Sequence, residues 1–134
     1  MTVQNPHEDM WPSAEELNAE PKDRPPLIIL REQAARLGEK TKNVVEGKVD
    51  VWALPGTSTL RIVLSLVAPA LEGYEYVLLQ ADQPADSYPV RLEFEGDKWV
   101  ANDEAGFKQY LTTLFSSART RKIINNLIVQ SSAK

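Results

Sequence analysis

The spacing of apolar residues changes twice along the chain. After Pro25-Pro26 they recur at steps of three and four, which predicts a helix as far as Val44 with Gly47 as its terminator. From Lys48 the period falls to two, as in strands, and after Asn102 the helical spacing returns. The stripe of the first helix consists of Leu27, Leu30, Ala34, Leu37, Thr41 and Val44.

The order of these segments predicts an α+β domain. We expect an N-terminal helix, an antiparallel sheet of four to five strands in meander order, and two C-terminal helices packed on one sheet face. Asn102-Asp103-Glu104 supplies a helix start, and Ser116-Ser117 separates the two C-terminal helices. The strands are predicted over residues 48–54, 59–68, 74–81, 88–95 and, after a tight Gly96-Asp97 turn, 98–101.

Two central segments of the predicted sheet, residues 59–68 and 74–81, are apolar on both faces. Helices that pack on one face leave the second face in need of cover, and such patches usually mark an interface. We therefore expect binding of a protein partner, most simply a second copy of the chain. The alternative is that the sheet curls around its own loops and buries the patch. The candidate partner-binding residues are Trp52, Val63, Val67, Tyr74 and Tyr76.

Residues 1–24 are predicted to form a disordered acidic leader, followed by a single domain over residues 25–134. The leader contains six acidic and two basic residues, a net charge of −4 that equals the charge of the whole chain. The sequence Ser13-Ala14-Glu15-Glu16 is a capping box and predicts a short helix over residues 14–19. Apolar burial alone does not favour docking of this segment, because ordering residues 10–17 costs about 8–16 kcal/mol whereas burying their three large apolar side chains returns about 5–9 kcal/mol.

Charge is segregated within the domain. Residues 72–104 hold nine acids and two bases, whereas residues 105–134 hold five bases and no acid. Arg119, Arg121 and Lys122 lie in the first turns of the last helix, where the helix dipole disfavours cations, so they are candidates for contact with an anion or an acidic partner. A nucleic-acid-binding accessory protein that uses this basic helix is the alternative function. It is less favoured because the isoelectric point is near 5.0 and no strand carries a base-stacking aromatic motif.

Residues that carry catalysis are not identifiable. The single histidine, His7, lies in the leader, and cysteine is absent, so a Ser-His-Asp triad, a thiolate nucleophile and a histidine metal site are not predicted. Asp82 and Asp86 flank a proline in a turn without the pattern of a calcium loop. No apolar run approaches the roughly 18 residues of a membrane span. We expect no cofactor, no metal, no membrane association and a cytoplasmic location.

A resemblance to a known family is carried by residues 30–34, 38–41, 66–71, the tyrosines at 74 and 76, 88–90 and 122–127. Over about residues 27–130 the chain resembles a family of small uncharacterised bacterial proteins. The resemblance implies a bacterial cytoplasmic origin and no particular chemistry. The helix–sheet–helix order is also similar to that of secretion-chaperone-like and immunity-protein-like modules. The expected function is thus a non-enzymatic protein-binding module that forms a homodimer or binds one dedicated partner.

Overall fold

The computed structural model describes residues 8–133 of the chain, so His7 and the start of the leader lie outside the described residues. The predicted α+β class and meander order are confirmed. In order, the elements are α1 (Ala14–Leu17), α2 (Pro26–Lys40), β1 (Glu46–Ala53), β2 (Leu60–Ala68), a 3-10 turn (Pro69–Leu71), β3 (Tyr74–Gln83), β4 (Val90–Phe94), β5 (Asp97–Ala101), α3 (Glu104–Phe115) and α4 (Ala118–Ala133).

Helix α2 begins at the proline pair, as predicted, but ends four residues before Val44. Lys42 and Asn43 both adopt positive φ angles, 53° and 65°, which the helix cannot continue through. The hydroxyl of Thr41 donates to the carbonyl oxygen of Val45 at 2.7 Å and accepts from the Val45 amide at 3.1 Å. These bonds fix the tight connection from α2 into β1.

Gly47 does not terminate the helix, contrary to the prediction, and instead lies inside β1. A Cβ atom at this position would lie 2.6 Å from the Cα atom of Ala34 and 2.7 Å from its Cβ atom. Glycine is therefore required because the backbone of β1 passes directly against α2. Ala34 on α2 has a small side chain, which also allows β1 and α2 to approach closely.

The five strands form one sheet in the order β1-β2-β3-β4-β5, and each neighbouring pair is antiparallel. The three long helices contribute to one core cluster with the side chains of a single sheet face. Burying that face and the apolar stripes of the helices is the main source of stability. The buried strand residues include Ile62, Leu64, Leu66, Leu79, Ala81, Val90 and Leu92.

Helix α3 seals one end of this core with Phe107. Its N-cap residue is Asp103, whose carboxylate accepts a hydrogen bond from the Gly106 amide at 2.8 Å, as the sequence predicted. The Phe107 ring is fully buried and meets the ring of Tyr88 edge-on, with centroids 6.5 Å apart. This contact ties α3 to the segment that enters β4.

Helix α4 starts after the predicted serine pair. The Ser117 hydroxyl accepts from the Thr120 amide at 3.2 Å, and the buried Thr120 hydroxyl donates to the carbonyl oxygen of Leu114 at 2.8 Å. The second bond satisfies a carbonyl at the end of α3 that has no partner within the helix. The side chains of Ser117 and Thr120 therefore hold the turn between α3 and α4.

Candidate partner-binding face

The strand register separates the helix-covered face of the sheet from a second face on which no described helix packs. We call this second face the open face. It is made of alternate residues on each strand, and cross-strand pairs place them in rows. Its members are Glu46, Lys48, Asp50 and Trp52 on β1, Arg61, Val63, Ser65 and Val67 on β2, Glu75, Val77, Gln80 and Asp82 on β3, Arg91 and Glu93 on β4, and Lys98 and Val100 on β5.

A β-bulge in β3 makes the open face more polar than the sequence alternation predicts. Leu64 pairs with Leu79 and Ser65 pairs with Val77, so Leu78 is an extra residue without a partner. Leu78 and Leu79 are both buried on the helix-covered face. After the bulge, the outward positions of β3 are Gln80 and Asp82. The prediction that β3 is apolar on both faces is corrected accordingly.

Three valines remain as an apolar cluster at the middle of the open face. Val63 and Val67 are half-buried on β2, and Val77 lies between them on β3 with 59% of its surface exposed. The small Ser65, opposite Val77, is buried among these larger neighbours. We call Val63, Val67 and Val77 the valine cluster. Trp52, 46% exposed, also lies on the open face. It follows Asp50, the β1 residue that pairs with Val63, by two positions.

One ion pair crosses the valine cluster and another borders it. Near the Val67 end, the Lys48 side chain of β1 passes over Ser65 on β2, and its ammonium contacts Glu75 on β3 at 2.8 Å and Asp50 at 3.7 Å. The hydrogen bond to Glu75, followed by the attraction of Asp50, raises the pKa of Lys48 above its ordinary value. These partners hold the lysine in its charged form across the neighbouring strands.

Toward the other end, the guanidinium of Arg61 binds Asp82 through two parallel hydrogen bonds of 2.9 Å each. This bidentate geometry fixes the orientation of both side chains, and the hydrogen bond to Asp82 raises the pKa of Arg61. An apolar centre with a polar rim is the usual anatomy of a protein interface. The open face follows it in part, because the Arg61–Asp82 pair borders the valine cluster whereas the Lys48–Glu75 pair crosses it.

Beyond Arg61 the open face continues into a shallow polar cavity of about 310 Å³ near β4 and β5. Arg91, Glu93 and Lys98 line it, and none of the three forms an ion pair within the described residues. These side chains present both signs of charge to solvent.

The structure separates the five residues that the sequence grouped together. Trp52, Val63 and Val67 lie on the open face, as expected. Tyr74 and Tyr76 pair with Ala68 and Leu66, whose side chains are buried, and so lie on the helix-covered face at the end of the sheet. Tyr76 packs against the core, whereas Tyr74 is half-exposed at the rim.

Val77 lies on the open face, although it was not among the residues selected from the sequence. Strict alternation placed it on the same side as Leu79, which the bulge turns into the core. A signal was present in the polar residues Gln80 and Asp82, which are better suited to solvent than to a core position. They indicate that the alternation of inward and outward side chains along β3 shifts by one residue before residue 80.

The basic residues at the start of α4 do not act as one group. Arg119 contacts Glu95 at 3.3 Å, while Arg121 and Lys122 are exposed. Arg119, one of the three cations, is thus already paired within the domain. Contact of these residues with an anion or an acidic partner stays a prediction, and so does the nucleic-acid alternative.

The end of the leader is clamped to the domain by Glu104. Its carboxylate accepts from the Arg24 amide at 2.7 Å and contacts the Lys108 ammonium at 2.7 Å, and the Tyr88 hydroxyl donates to the Arg24 carbonyl at 2.7 Å. The Arg24 backbone hydrogen bond, followed by the Lys108 hydrogen bond, lowers the pKa of Glu104 to about 2. Burial raises the pKa of Tyr88 to about 12, so its hydroxyl stays protonated.

This clamp predicts a specific acid sensitivity. Because the folded-state pKa of Glu104 lies below its ordinary 4.5, its contribution is complete above pH 4.5 and is lost as the pH falls toward 2. We expect Glu104→Gln to flatten the loss of unfolding free energy across this window. Urea unfolding at a series of pH values measures it, and an acid limb as steep as that of the unaltered protein would contradict the assignment.

Within residues 8–133, no cluster of three or more potential metal-ligating side chains occurs. In the same part of the chain, none of the helices combines the length and the apolarity that a membrane crossing requires.

Comparison of the chain with protein-family models, with curated proteins and with solved structures found no match in any of the three.

Proposed function

We propose that this protein is a non-enzymatic protein-binding module that forms a homodimer by packing the open face of one copy on that of another. The observation that carries the proposal is the valine cluster, which lies at the centre of a sheet face that no helix within residues 8–133 covers. Burying Val63, Val67 and Val77 in both copies removes apolar surface from water, which is the main favourable contribution to such an association.

The size of the face supports a protein partner. The strands are five to ten residues long, and at about 3.3 Å per residue and about 4.8 Å between strands they span roughly 600 Å² before the side chains are considered. Stable interfaces bury about 800 Å² on each partner, and weak ones less than about 600 Å². The open face therefore has the size of a small dimer interface, and the small cavity at its edge is a minor part of it.

The charge pattern favours a second copy as that partner. The face carries five acids and four bases, and each sign occurs on both sides of the valine cluster. A two-fold interface requires a surface that complements itself, which a strongly one-signed face cannot do. Arg91, Glu93 and Lys98, which have no ion pair within residues 8–133, are available to pair across the interface.

The test is sedimentation velocity of the full chain over a range of concentrations. We expect a dimer at tens of micromolar, and we expect Val63→Glu/Val77→Glu to raise the dimer dissociation constant about 100-fold, equivalent to about 2.7 kcal/mol. The cause is that four like charges would be buried in the middle of the interface. Val77→Glu alone, at the more exposed position, is expected to act in the same direction with the monomer fold intact.

Ile28→Glu/Val129→Glu is the matched control. Both side chains are large, apolar and exposed, and both lie on helices of the opposite face. This variant introduces the same charge and is expected to leave the dissociation constant unchanged. A monomer at all concentrations, or an equal effect of the two double variants, would refute the proposal.

A further inference from the structure

A second cavity, lined mainly by apolar atoms, opens on the helix-covered side of the sheet, between α2 and α4. Its volume is about 300 Å³, the lower end of the range for small-ligand pockets, and it suits one bulky side chain. The floor is made by strand residues and the walls by the two helices and the end of α3. The apolar lining includes Leu37, Leu64, Leu66, Leu78, Phe115 and Ile124.

The rim of this cavity is basic. Arg36 and Lys40, one turn apart on α2, line it and are exposed. Neither forms an ion pair within residues 8–133. A hydrophobic recess with cations at its edge is complementary to a bulky apolar side chain flanked by carboxylates.

The leader has this complementary chemistry. Residues 8–20 contain five acids and no base, and all of them are exposed. The segment carries Trp11, 76% exposed, beside Met10 at 93%. Its local shape is already set, because the Trp11 amide donates to Asp9 at 3.0 Å and the Ser13 hydroxyl caps α1 by accepting from the Glu16 amide at 3.2 Å.

The leader is long enough to reach the cavity of its own chain. The clamp holds it at Arg24, and the 13 residues from there back to Trp11, four of them in α1, span up to about 36 Å. Along the axis of α2, Arg36 and Lys40 lie roughly 18–24 Å beyond Arg24. The segment can therefore fold back along α2 without strain.

We infer that the cavity between α2 and α4 is the docking site of the leader of the same chain in a second conformation, distinct from the one in which Trp11 is 76% exposed. In that conformation the indole of Trp11 fills the cavity and leader carboxylates face Arg36 and Lys40. Apolar burial alone does not offset the ordering of the segment. Ion pairs at the basic rim, worth about 0–1 kcal/mol each, and the cap at Ser13, which orders α1 before docking, both shift the balance toward the docked state. This site lies on the face opposite the proposed dimer interface, so the two proposals stand independently.

Nuclear magnetic resonance of the nitrogen-15-labelled full chain tests the inference through its three indole N–H signals. The Trp11 signal is assigned with Trp11→Phe, and a synthetic peptide of residues 8–20 gives its undocked position. We expect the Trp11 signal of the full chain to differ from that of the peptide. We also expect nuclear Overhauser contacts between the indole and the methyl groups of Leu66, Leu78 and Ile124.

Charge reversal at the rim tests whether the changed position of the Trp11 signal is caused by docking in the cavity. Arg36→Glu/Lys40→Glu is expected to lower the ratio of docked to free leader about tenfold and to move the Trp11 signal to the peptide position. Arg31→Glu/Lys122→Glu makes the same change of charge at exposed positions that do not line the cavity. It is expected to leave the signal in place, and unchanged Trp52 and Trp99 signals verify the fold of each variant.

Three results would overturn the inference. The first is a Trp11 signal at the peptide position in the unaltered chain. The second is an equal response to the two charge reversals. The third is a shift that disappears on about fifty-fold dilution, which would mean that the leader docks on another copy.

Discussion

Phe107→Ala is expected to lower the free energy of unfolding by about 3–5 kcal/mol. The Phe107 side chain is completely buried where α3 meets the sheet, and it makes an edge-on contact with Tyr88. Its removal loses the transfer free energy of the ring and leaves a cavity that the surrounding strands cannot close. For a domain with a total stability of about 5–15 kcal/mol, this loss brings the protein close to unfolding.

Urea unfolding followed by circular dichroism measures this change. Phe107→Leu is the matched control, because it keeps most of the buried volume and is expected to cost less than about 1.5 kcal/mol. If Phe107→Ala cost no more than the leucine variant, Phe107 would not be the centre of the core at that end of the sheet.

Gly47→Val is expected to destabilise the protein by about 3 kcal/mol, at the upper end of the range for overpacking. A Cβ atom at residue 47 would meet the Ala34 backbone at 2.6 Å, and backbone cannot rotate away as a flexible side chain can. Helix α2 would have to move off β1. The higher strand propensity of valine favours the opposite outcome but is worth less than the clash.

A second substitution on the facing helix tests this cause. Ala34→Gly removes the contact with the Ala34 Cβ atom but leaves the contact with its Cα atom, and alone it costs about 1 kcal/mol because glycine disfavours a helix interior. Gly47→Val is therefore expected to cost less in the Ala34→Gly background than in the unaltered chain. The same urea measurement on both single variants and the double variant reports the difference. Full stability of Gly47→Val, or an equal cost in the two backgrounds, would show that the close approach of β1 and α2 does not decide the effect.

Much of the fold could be predicted because its signals are local. The change of apolar period marks the boundaries between helices and strands. The caps at Ser13 and Asp103 start their helices through side-chain bonds to amides within the same turn. The meander follows from short connections between successive strands.

Two features could not be predicted because they depend on contacts between distant segments. From the sequence Gly47 was predicted to terminate a helix. In the structure glycine is required there because β1 passes directly against Ala34 of α2. The extra residue at Leu78 is apolar like its neighbours, so the bulge is not visible at the residue itself, and only the polar residues Gln80 and Asp82 further along β3 indicate it. That bulge decides which side chains of β3 face the open side.

The candidate site was therefore predicted only where no irregularity intervened. On β2 and β1 the alternation holds to the end, and Val63, Val67 and Trp52 lie on the predicted face. On β3 the alternation slips, so Val77 was missed and Tyr76 packs against the core instead. The cavity between α2 and α4 depends on the spacing of the two helices, which the sequence pattern does not specify.

The most direct test of the proposed dimer is a cross-saturation experiment on a mixture of two forms of the full chain. One form is deuterated and carries protonated valine methyl groups, and the other is fully protonated. Saturation of the protonated copy is expected to reach the methyl groups of Val63, Val67 and Val77 and to leave those of Val129, exposed on α4, unaffected. Transfer that is absent at a concentration where the protein sediments as a dimer, or that centres on Val129, would contradict a dimer formed through the open face.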